Sequence, residues 1–235
     1  MTASVGAPVV GGARWDPPAA IAVRGTVLLL PGRGEHAGVY DRFGRRLAVD
    51  GYAVRSATPE TLPGLAADAV APLVLAGSDT GALRALALAQ AVPVAGVIVA
   101  GVPWAAPRPK GFLDWDAELD ARSACPTHRA RLEGDGGFER GALTAEVPPA
   151  LAAAVDPAAV AVPVLIVHGA ADPIAPVAGA RELASRLPHA ELATVRDGRH
   201  DAFNDITHRT VAAHVVQWLE RLRADPAAPP ILTVS

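Results

Sequence analysis

The sequence has few of the residues that mark the more specialised protein classes. Cys125 is the only cysteine among 235 residues, which excludes an intrachain disulfide and a cysteine-based zinc site. Lys110 is the only lysine, so the basic residues are almost all arginine, which we interpret as compositional bias. No apolar run is long enough and polar-free enough to span a bilayer, since the nearest one, 85–106, contains two prolines.

The charge balance gives no reason to expect a polyanionic partner. The formal net charge is -3 and the pI is about 6.1, so neither nucleic acid nor an anionic membrane surface is indicated. Residues 1–12 lack the basic patch and apolar core of a signal peptide. We therefore expect a cytoplasmic protein that acts on a small molecule, without cofactor or metal. The oligomeric state is left open.

Apolar runs alternate with helical patterns along most of the chain. Strands are predicted at 24–30, 52–56, 71–76, 94–100, 162–167 and, more weakly, 191–195. Helices are predicted at 40–49, 82–90, 177–187 and 205–223. Such alternation predicts an α/β fold with a doubly wound, mostly parallel sheet, in which sites lie at the carboxyl ends of the strands.

One long segment interrupts this alternation. Residues 103–158 are rich in proline, glycine and charge and show no clean strand pattern. Because this segment leaves from the carboxyl end of a strand, it is placed to form a small lid. We therefore predict an α/β core from 1–102 and 159–225, an inserted lid at 103–158 and a tail at 226–235, with only weak edge strands in residues 1–20.

The segment Gly77-Ser78-Asp79-Thr80-Gly81 stands between a predicted strand and a predicted helix. A sharp turn at this point needs small residues two positions either side of its tip, and the two glycines meet that need. The tip is then Asp79. Two alternatives stay open: Asp79 is only a helix N-cap, or the register is shifted by one residue and Ser78 is the nucleophile.

Two further polar residues follow apolar strands, and their order along the chain is informative. Asp172 comes after the run that ends near Val167, and His200 comes after the weak strand at 191–195. The order nucleophile, acid, histidine is that of α/β-hydrolases, and the chain resembles that superfamily over about residues 20–223. The resemblance implies the α/β-hydrolase fold, with Asp79, Asp172 and His200 as the catalytic residues.

The loop at 30–40 adds to this resemblance. It reads Leu-Pro-Gly-Arg-Gly-Glu-His-Ala-Gly-Val-Tyr and is similar to the oxyanion loop of monoglyceride-lipase-like members, except that Pro31 replaces their first histidine. The resemblance implies that the backbone N–H of Arg33 is one donor of the oxyanion hole. The other donor would be the N–H of Thr80, the residue after the nucleophile, at a helix N-terminus.

In α/β-hydrolases the sharp turn that carries the nucleophile is called the nucleophile elbow. An aspartate at its tip makes this chain similar to the haloalkane dehalogenase and epoxide hydrolase branch of the superfamily. A carboxylate is already ionised near neutral pH and can attack carbon directly, giving an alkyl ester of Asp79. His200, oriented by Asp172, would then activate the water that hydrolyses the ester. Thr80 stands where dehalogenases carry a halide-binding tryptophan, so epoxides are favoured over halides.

The predicted lid departs from the epoxide hydrolase pattern. It contains no tyrosine to protonate an epoxide oxygen, and the acids it offers are His128, Asp114, Asp116 and Glu118. Three of its aromatic residues are predicted to pack its underside and thereby line an apolar substrate pocket. They are Trp104, Phe112 and Trp115. A catalytic pair of Cys125 with the nearby His128 is disfavoured because a proline separates the two.

Two other functions remain as alternatives. The first is an esterase or lysophospholipase-like hydrolase of esters or thioesters, indicated by Gly34-Glu35-His36 and Tyr40 in the oxyanion loop. The second is a binding or scaffold protein that keeps the fold and the pocket without hydrolysis. Pro31 and Asp79, which both depart from the lipase pattern, favour this second alternative.

Overall fold

A computed structural model describes residues 12–108, 111–112 and 114–231. The strands are β1 (Arg14–Trp15), β2 (Gly25–Leu30), β3 (Tyr52–Ser56), β4 (Leu73–Ser78), β5 (Gly96–Ala100), β6 (Val164–Gly169) and β7 (Ala190–Val195). The helices are α1 (Asp41–Val49), α2 (Leu62–Ala67), α3 (Thr80–Ala89), α4 (Trp115–Arg122), α5 (Pro126–Glu133), α6 (Pro149–Ala153), α7 (Val177–Arg186) and α8 (His208–Ala224). Short 3-10 turns lie at Ala37–Tyr40, Ala142–Thr144 and Pro157–Ala159.

The seven strands form one sheet in the order β1-β3-β2-β4-β5-β6-β7. The edge strand β1 pairs antiparallel with β3, and each of the other neighbouring pairs is parallel. The predicted doubly wound, mostly parallel sheet is therefore confirmed. Central strands such as β2 and β5 are buried along their whole length, as expected for strands covered on both faces.

Helices cover both faces of the sheet and divide the core into two apolar clusters. One cluster lies between the sheet and the pair α1 and α8 and contains Phe43 and Trp218. The other lies under α2, α3 and α7 and contains Leu83 and Leu183. Burial of these apolar side chains supplies the main driving force for folding and fixes the strand ends relative to one another.

The strand ends that matter for chemistry lie side by side. In the parallel register Leu30 is opposite Gly77, and Ser78 is opposite Ala100. Likewise Gly169 at the end of β6 is opposite Val195 at the end of β7. The loops that follow β2, β4, β6 and β7 therefore meet at one edge of the sheet.

The segment between β5 and β6 corresponds to the predicted lid and contains α4, α5 and α6. Its α4 end contacts the loop after β7, because Asp201 N donates to Arg122 O at 2.8 Å. Division of the chain into core, lid and tail remains a prediction. No helix within the described residues is long and apolar enough to cross a membrane.

Candidate active site

Asp79 sits at the tip of a sharp turn between β4 and α3. Its φ of 49° and ψ of -123° are an unusual backbone conformation for a residue with a side chain. A Cβ on Gly77 would lie 2.2 Å from Gly81 O, and one on Gly81 would lie 2.1 Å from Leu30 O. Both glycines are therefore sterically required. Ser78 is the last residue of β4, so the shifted register is wrong and the tip of the elbow is Asp79.

Asp172 and His200 are brought together by the loops after β6 and β7. His200 Nδ1 lies 2.8 Å from Asp172 Oδ2. The other oxygen, Asp172 Oδ1, accepts the backbone N–H groups of Ile174 at 2.8 Å and Ala175 at 3.0 Å. These bonds hold the carboxylate in place, and the carboxylate in turn orients the imidazole.

The third residue completes a continuous buried chain. His200 Nε2 lies 3.4 Å from Asp79 Oδ1, on the side of the ring opposite Asp172. At most 2% of each of these two side chains is exposed, and Asp172 is closed off to a similar degree. The structure thus joins Asp79, His200 and Asp172 in the order expected for a nucleophile, a base and its orienting acid.

The surroundings of the Asp79 carboxylate differ from those of a nucleophile that is ready for attack. A nucleophile ready for attack would be unpaired and open to substrate, whereas the Asp79 carboxylate is buried in an ion pair with the Arg33 side chain. Arg33 Nη2 donates to Oδ1 at 2.8 Å and Arg33 Nε donates to Oδ2 at 2.8 Å. The two parallel bonds form a bidentate pair, the strongest arrangement between these groups.

The backbone of Arg33 lies where the sequence predicted. Its N–H donates to Asp79 Oδ2 at 2.9 Å, so the loop after β2 does place an amide donor at the elbow. Thr80 is the first residue of α3, so its N–H is one of the four donors that a helix leaves unpaired at its start. The role of both amides in an oxyanion hole remains a prediction.

The guanidinium of Arg33 also reaches the segment between β5 and β6. Its Nη1 donates to Ala145 O and, at 3.5 Å, to Leu143 O. The sequence predicted a role for the backbone N–H of Arg33 and gave no indication of these side-chain contacts. The partner lies 46 positions away in the chain, and no local pattern indicates the pairing.

The electrostatics of the site follow from this network. Burial alone would raise the pKa of Asp79, but the hydrogen bonds from Arg33 and the nearby charge of His200 outweigh it and hold that pKa well below its usual range. Burial alone would lower the pKa of His200, yet the charges of Asp172 and Asp79 raise it to about 10. Asp79 is therefore ionised and His200 is protonated at neutral pH in this closed arrangement.

A second buried network lies beside the elbow. Glu35 accepts hydrogen bonds from Gly32 N at 2.8 Å and from the Tyr40 hydroxyl. Burial and the charge of Asp201 raise the pKa of Glu35 to about 7, although Arg122 at 3.5 Å opposes this. Sequence reasoning noted Glu35 and Tyr40 as part of the oxyanion loop, and the structure shows that the two fix the shape of that loop.

A cavity of about 480 Å³ lies beside the acid and histidine loops. Its lining includes Pro173 and Ile174, which follow Asp172, and Arg199, which precedes His200. Of the three aromatic residues predicted to bind substrate, Phe112 lines this cavity. The cavity adjoins the loops that carry Asp172 and His200, but Asp79, Asp172 and His200 are not among its described lining residues.

The two tryptophans of the predicted pocket lie elsewhere. Trp104 packs on α7, where its Nε1 donates to Glu182 at 3.3 Å and the Arg186 guanidinium stacks on its ring. Trp115 packs against Phe138, the Arg140 guanidinium lies over its ring, and it borders a smaller cavity of about 210 Å³. Neither ring is among the described lining of the larger cavity, so the placement does not support a role for them there.

Comparisons with known proteins agree with this architecture. A family model described as TAP-like protein (Abhydrolase_4) matches residues 143–230, the part of the chain that holds Asp172 and His200. No curated protein matches the chain.

Many solved structures match most of the chain, and three of them serve as examples. A monoacylglycerol lipase from Paleococcus ferrophilus is 20% identical, with a TM-score of 0.72, and the match covers 90% of this chain and 98% of that one. A soluble variant of monoglyceride lipase from Saccharomyces cerevisiae is 18% identical, with a TM-score of 0.73 and coverage of 90% and 91%. The esterase domain of a Rhodothermus marinus protein is 18% identical, with a TM-score of 0.61 and coverage of 89% and 92%.

The α/β-hydrolase fold follows from the sheet order, the elbow and these matches together. The predicted resemblance to the α/β-hydrolase superfamily is thereby confirmed. Identities of 20% and below establish the fold and leave the reaction to be argued from the site itself.

Proposed function

We propose that the protein is a hydrolase in which Asp79 attacks a small apolar substrate and forms a covalent alkyl ester. His200 then activates the water that hydrolyses the ester, and epoxides are preferred over halides. The observation that carries this proposal is the buried chain Asp172–His200–Asp79, which ends at a strained elbow. Strain of this kind persists where the surroundings enforce it and is concentrated at functional sites.

The two oxygens of the Asp79 carboxylate have different surroundings, which favours one as the attacking atom. Oδ1 lies near His200 Nε2, whereas Oδ2 accepts the backbone N–H of Arg33. If Oδ1 attacks carbon, Oδ2 becomes the carbonyl oxygen of the ester. That oxygen already contacts the amide that would stabilise the negative charge developing when water adds.

The ion pair with Arg33 defines what must change before attack. The guanidinium donates a hydrogen bond to Oδ1 in this structure. That bond must break before a carbon atom can approach this oxygen. Its remaining contacts are backbone carbonyls of residues 143 and 145, which are weaker partners than a carboxylate. The Arg33 backbone N–H keeps its place on Oδ2 whether or not the side chain moves.

Trapping the covalent ester tests this proposal directly. His200→Gln is incubated with a panel of epoxides, alkyl bromides and esters, and the intact protein is weighed and then mapped by peptide. We expect a stable mass increase on Asp79 with an epoxide or a bromide, because the ester forms but its hydrolysis lacks a base. The matched control His200→Gln/Asp79→Asn removes the nucleophile and should gain no mass.

Ester hydrolysis is the alternative favoured by the oxyanion loop and by the similarity in fold to lipases and an esterase. An aspartate that attacks an acyl carbon gives a mixed anhydride. Turnover of an ester that survives in Asp79→Asn, with no mass increase in His200→Gln, would contradict the covalent Asp79 mechanism and support this alternative.

A non-catalytic binding protein is the other alternative, and the Arg33–Asp79 pair is the observation that favours it. A carboxylate that is buried and doubly hydrogen-bonded is a weak nucleophile. The same panel decides between the two: if wild type turns over none of the reagents and His200→Gln gains no mass from any of them, the site serves binding alone.

A further inference from the structure

We infer that Arg122, the last residue of α4, is a positioning residue that keeps the loop of His200 and the loop of Arg33 in fixed register. The inference rests on the proposed function, because the groups that it positions act when the Asp79 ester is hydrolysed. It adds a residue from the segment between β5 and β6 to a site that is otherwise built from loops at the carboxyl ends of the strands.

The backbone at the end of α4 is bonded to the loop after β7, which carries His200. The carbonyl oxygen of Ala121 accepts the N–H of His200 at 3.3 Å, and the carbonyl oxygen of Arg122 accepts the N–H of Asp201 at 2.8 Å. The last carbonyls of a helix have no partner within the helix, so two successive amides of the loop satisfy them here. The end of α4 therefore fixes the position of His200 along its loop.

The side chain of Arg122 reaches the loop on the other side of the site. Its Nη2 donates to Arg33 O at 3.3 Å, and its Nη1 donates to Glu35 Oε1 at 3.5 Å. Glu35 in turn accepts the N–H of Gly32 at 2.8 Å. The guanidinium thus holds the loop at Arg33 itself and through both neighbouring positions. The N–H of this same Arg33 is the amide that donates to Asp79 Oδ2.

The neighbours of the Arg122 side chain fix its direction. Glu118, one turn earlier in α4, accepts from Nε at 3.1 Å and from Nη2 at 2.8 Å. The other oxygen of Glu118 accepts the N–H of Gly141. The ring of Phe138 lies 4.7 Å from the guanidinium carbon, and only 1% of the Arg122 side chain is exposed. The arm that joins the two loops is therefore rigid.

The buried charge of Arg122 supplies something that packing alone does not. Taking charges out of water costs free energy that their mutual attraction often only offsets, so an apolar side chain of similar volume could fill the same space. A guanidinium differs from such a side chain because its donors lie in a rigid plane. That plane is aimed at the carbonyl of Arg33, while the carbonyl of Arg122 holds the loop after β7. The arrangement favours a role in register over a role in stability.

The two steps of the proposed reaction depend on this register to different degrees. Formation of the ester needs the ionised Asp79 carboxylate and the reagent. Hydrolysis needs His200 beside the attacking water and, at the same time, the Arg33 N–H on the oxygen that becomes negative. A shift of about 1 Å between such groups can slow a reaction about 10²-fold. Loosening the Arg122 contacts should therefore slow hydrolysis and spare ester formation.

Two variants of Arg122 and one control test this role in the whole chain. Arg122→Met keeps much of the side-chain volume and removes the donors. Arg122→Lys keeps a positive charge on a shorter arm without the planar fork. The matched control is Arg131→Met, because Arg131 on α5 donates to Gly38 O at 2.6 Å, in the same loop but away from Arg33.

The measurement separates the two steps at steady state. The reagent is 1,2-epoxyhexane or 1-bromohexane, whichever alkylates Asp79 in His200→Gln. Samples are quenched in acid, and the alkylated fraction of the protein is read from its intact mass. The turnover rate per enzyme divided by the alkylated fraction gives the rate constant of hydrolysis. The same turnover rate divided by the unalkylated fraction gives the rate of alkylation at that reagent concentration.

We expect hydrolysis to slow about 100-fold in Arg122→Met, with alkylation changed by less than about 5-fold, so that the ester accumulates. Arg122→Lys should lose only about 10-fold in hydrolysis, because an ammonium can still donate to the Arg33 carbonyl. Arg131→Met should change both rates by less than about 3-fold. Circular dichroism checks that each variant is folded. If Arg122→Met does not fold, the selective loss of hydrolysis in Arg122→Lys decides the test.

Three outcomes overturn the inference, and one of them also overturns the function on which it rests. Hydrolysis at the wild-type rate in the folded Arg122 variants shows that the register does not depend on this side chain. An equal fall in alkylation and hydrolysis shows a structural role alone. No Asp79 ester from either reagent in any variant, His200→Gln included, overturns the covalent mechanism itself and the positioning role with it.

Discussion

Two buried histidine–aspartate hydrogen bonds lie within the described part of the chain, and only one of them belongs to the candidate site. His200 bonds to Asp172 at 2.8 Å, and His128 bonds to Asp201 at 2.6 Å. Neither imidazole is more than 2% exposed. By distance and burial alone, the two pairs are almost indistinguishable.

The difference lies on the far side of each ring. His200 Nε2 faces the carboxylate of Asp79, which an elbow with positive φ presents to it. The far nitrogen of His128, Nδ1, has no partner among the described residues, and the only other described hydrogen bonds of the Asp201 carboxylate come from Asn204 in the same turn. A histidine–aspartate pair therefore indicates catalysis only when a third reactive group completes it.

The largest expected effect is a difference in kcat between substitutions of the two histidines. His200→Gln should lower kcat on any substrate found by about 10³-fold or more, because the base for ester hydrolysis is lost. His128→Gln should change kcat less than 10-fold while lowering the free energy of unfolding by about 2 kcal/mol, since a buried hydrogen bond to a carboxylate is lost. Steady-state kinetics and urea denaturation measure both. Equal losses of kcat would show that the far-side carboxylate does not distinguish the pairs.

A smaller effect is expected from removing the cation that pairs with Asp79. Arg33→Met keeps the backbone N–H but leaves a buried carboxylate without its bidentate partner, which should lower the free energy of unfolding by about 3 kcal/mol. Arg129→Met, at a surface arginine paired with Asp120, should cost less than about 1 kcal/mol. Urea denaturation at neutral pH compares the two. Similar losses would mean that the Asp79 pair is no stronger than a surface pair.

The smallest effect concerns pH. Because the folded state raises the pKa of His200 to about 10, above the ordinary 6.5, folding binds its proton more tightly. That stabilisation is complete below about pH 6.5 and is lost as the pH rises towards 10. The stability difference between wild type and His200→Gln should shrink by roughly 2 kcal/mol from pH 7 to pH 8.5, at about 1.4 kcal/mol per unit. A difference that stays constant over this range would show that His200 is neutral in the folded protein.

The sheet was predictable because its strands are buried on both faces and therefore read as apolar runs. The apolar run at 71–76 predicted β4, and in the structure this strand lies two residues later, at Leu73–Ser78. The strand starts after Pro72 and continues through Gly77 and Ser78, which pair with Val99 and Ala100 although they add little apolar character. Backbone pairing with β5, rather than apolar side chains, extends β4 through these two residues.

The order of Asp79, Asp172 and His200 was predictable because each follows a strand end, and parallel strands bring such ends together. The helices α4 and α5 were not predicted, because their apolar spacing is weak. They are held instead by particular polar contacts such as His128 with Asp201, which are 73 positions apart in the chain. The direction of the Arg33 side chain depends in the same way on the folded neighbourhood.

The contacts of Arg33 have a consequence for the access of reactive compounds to Asp79. Arg33 holds the Asp79 carboxylate with one part of its guanidinium and the carbonyls of residues 143 and 145 with another. In the proposed mechanism, an alkylating compound can react with Asp79 Oδ1 only after the guanidinium releases the carboxylate. Under that proposal, one side chain that contacts both the elbow and the segment between β5 and β6 controls access to the reactive oxygen.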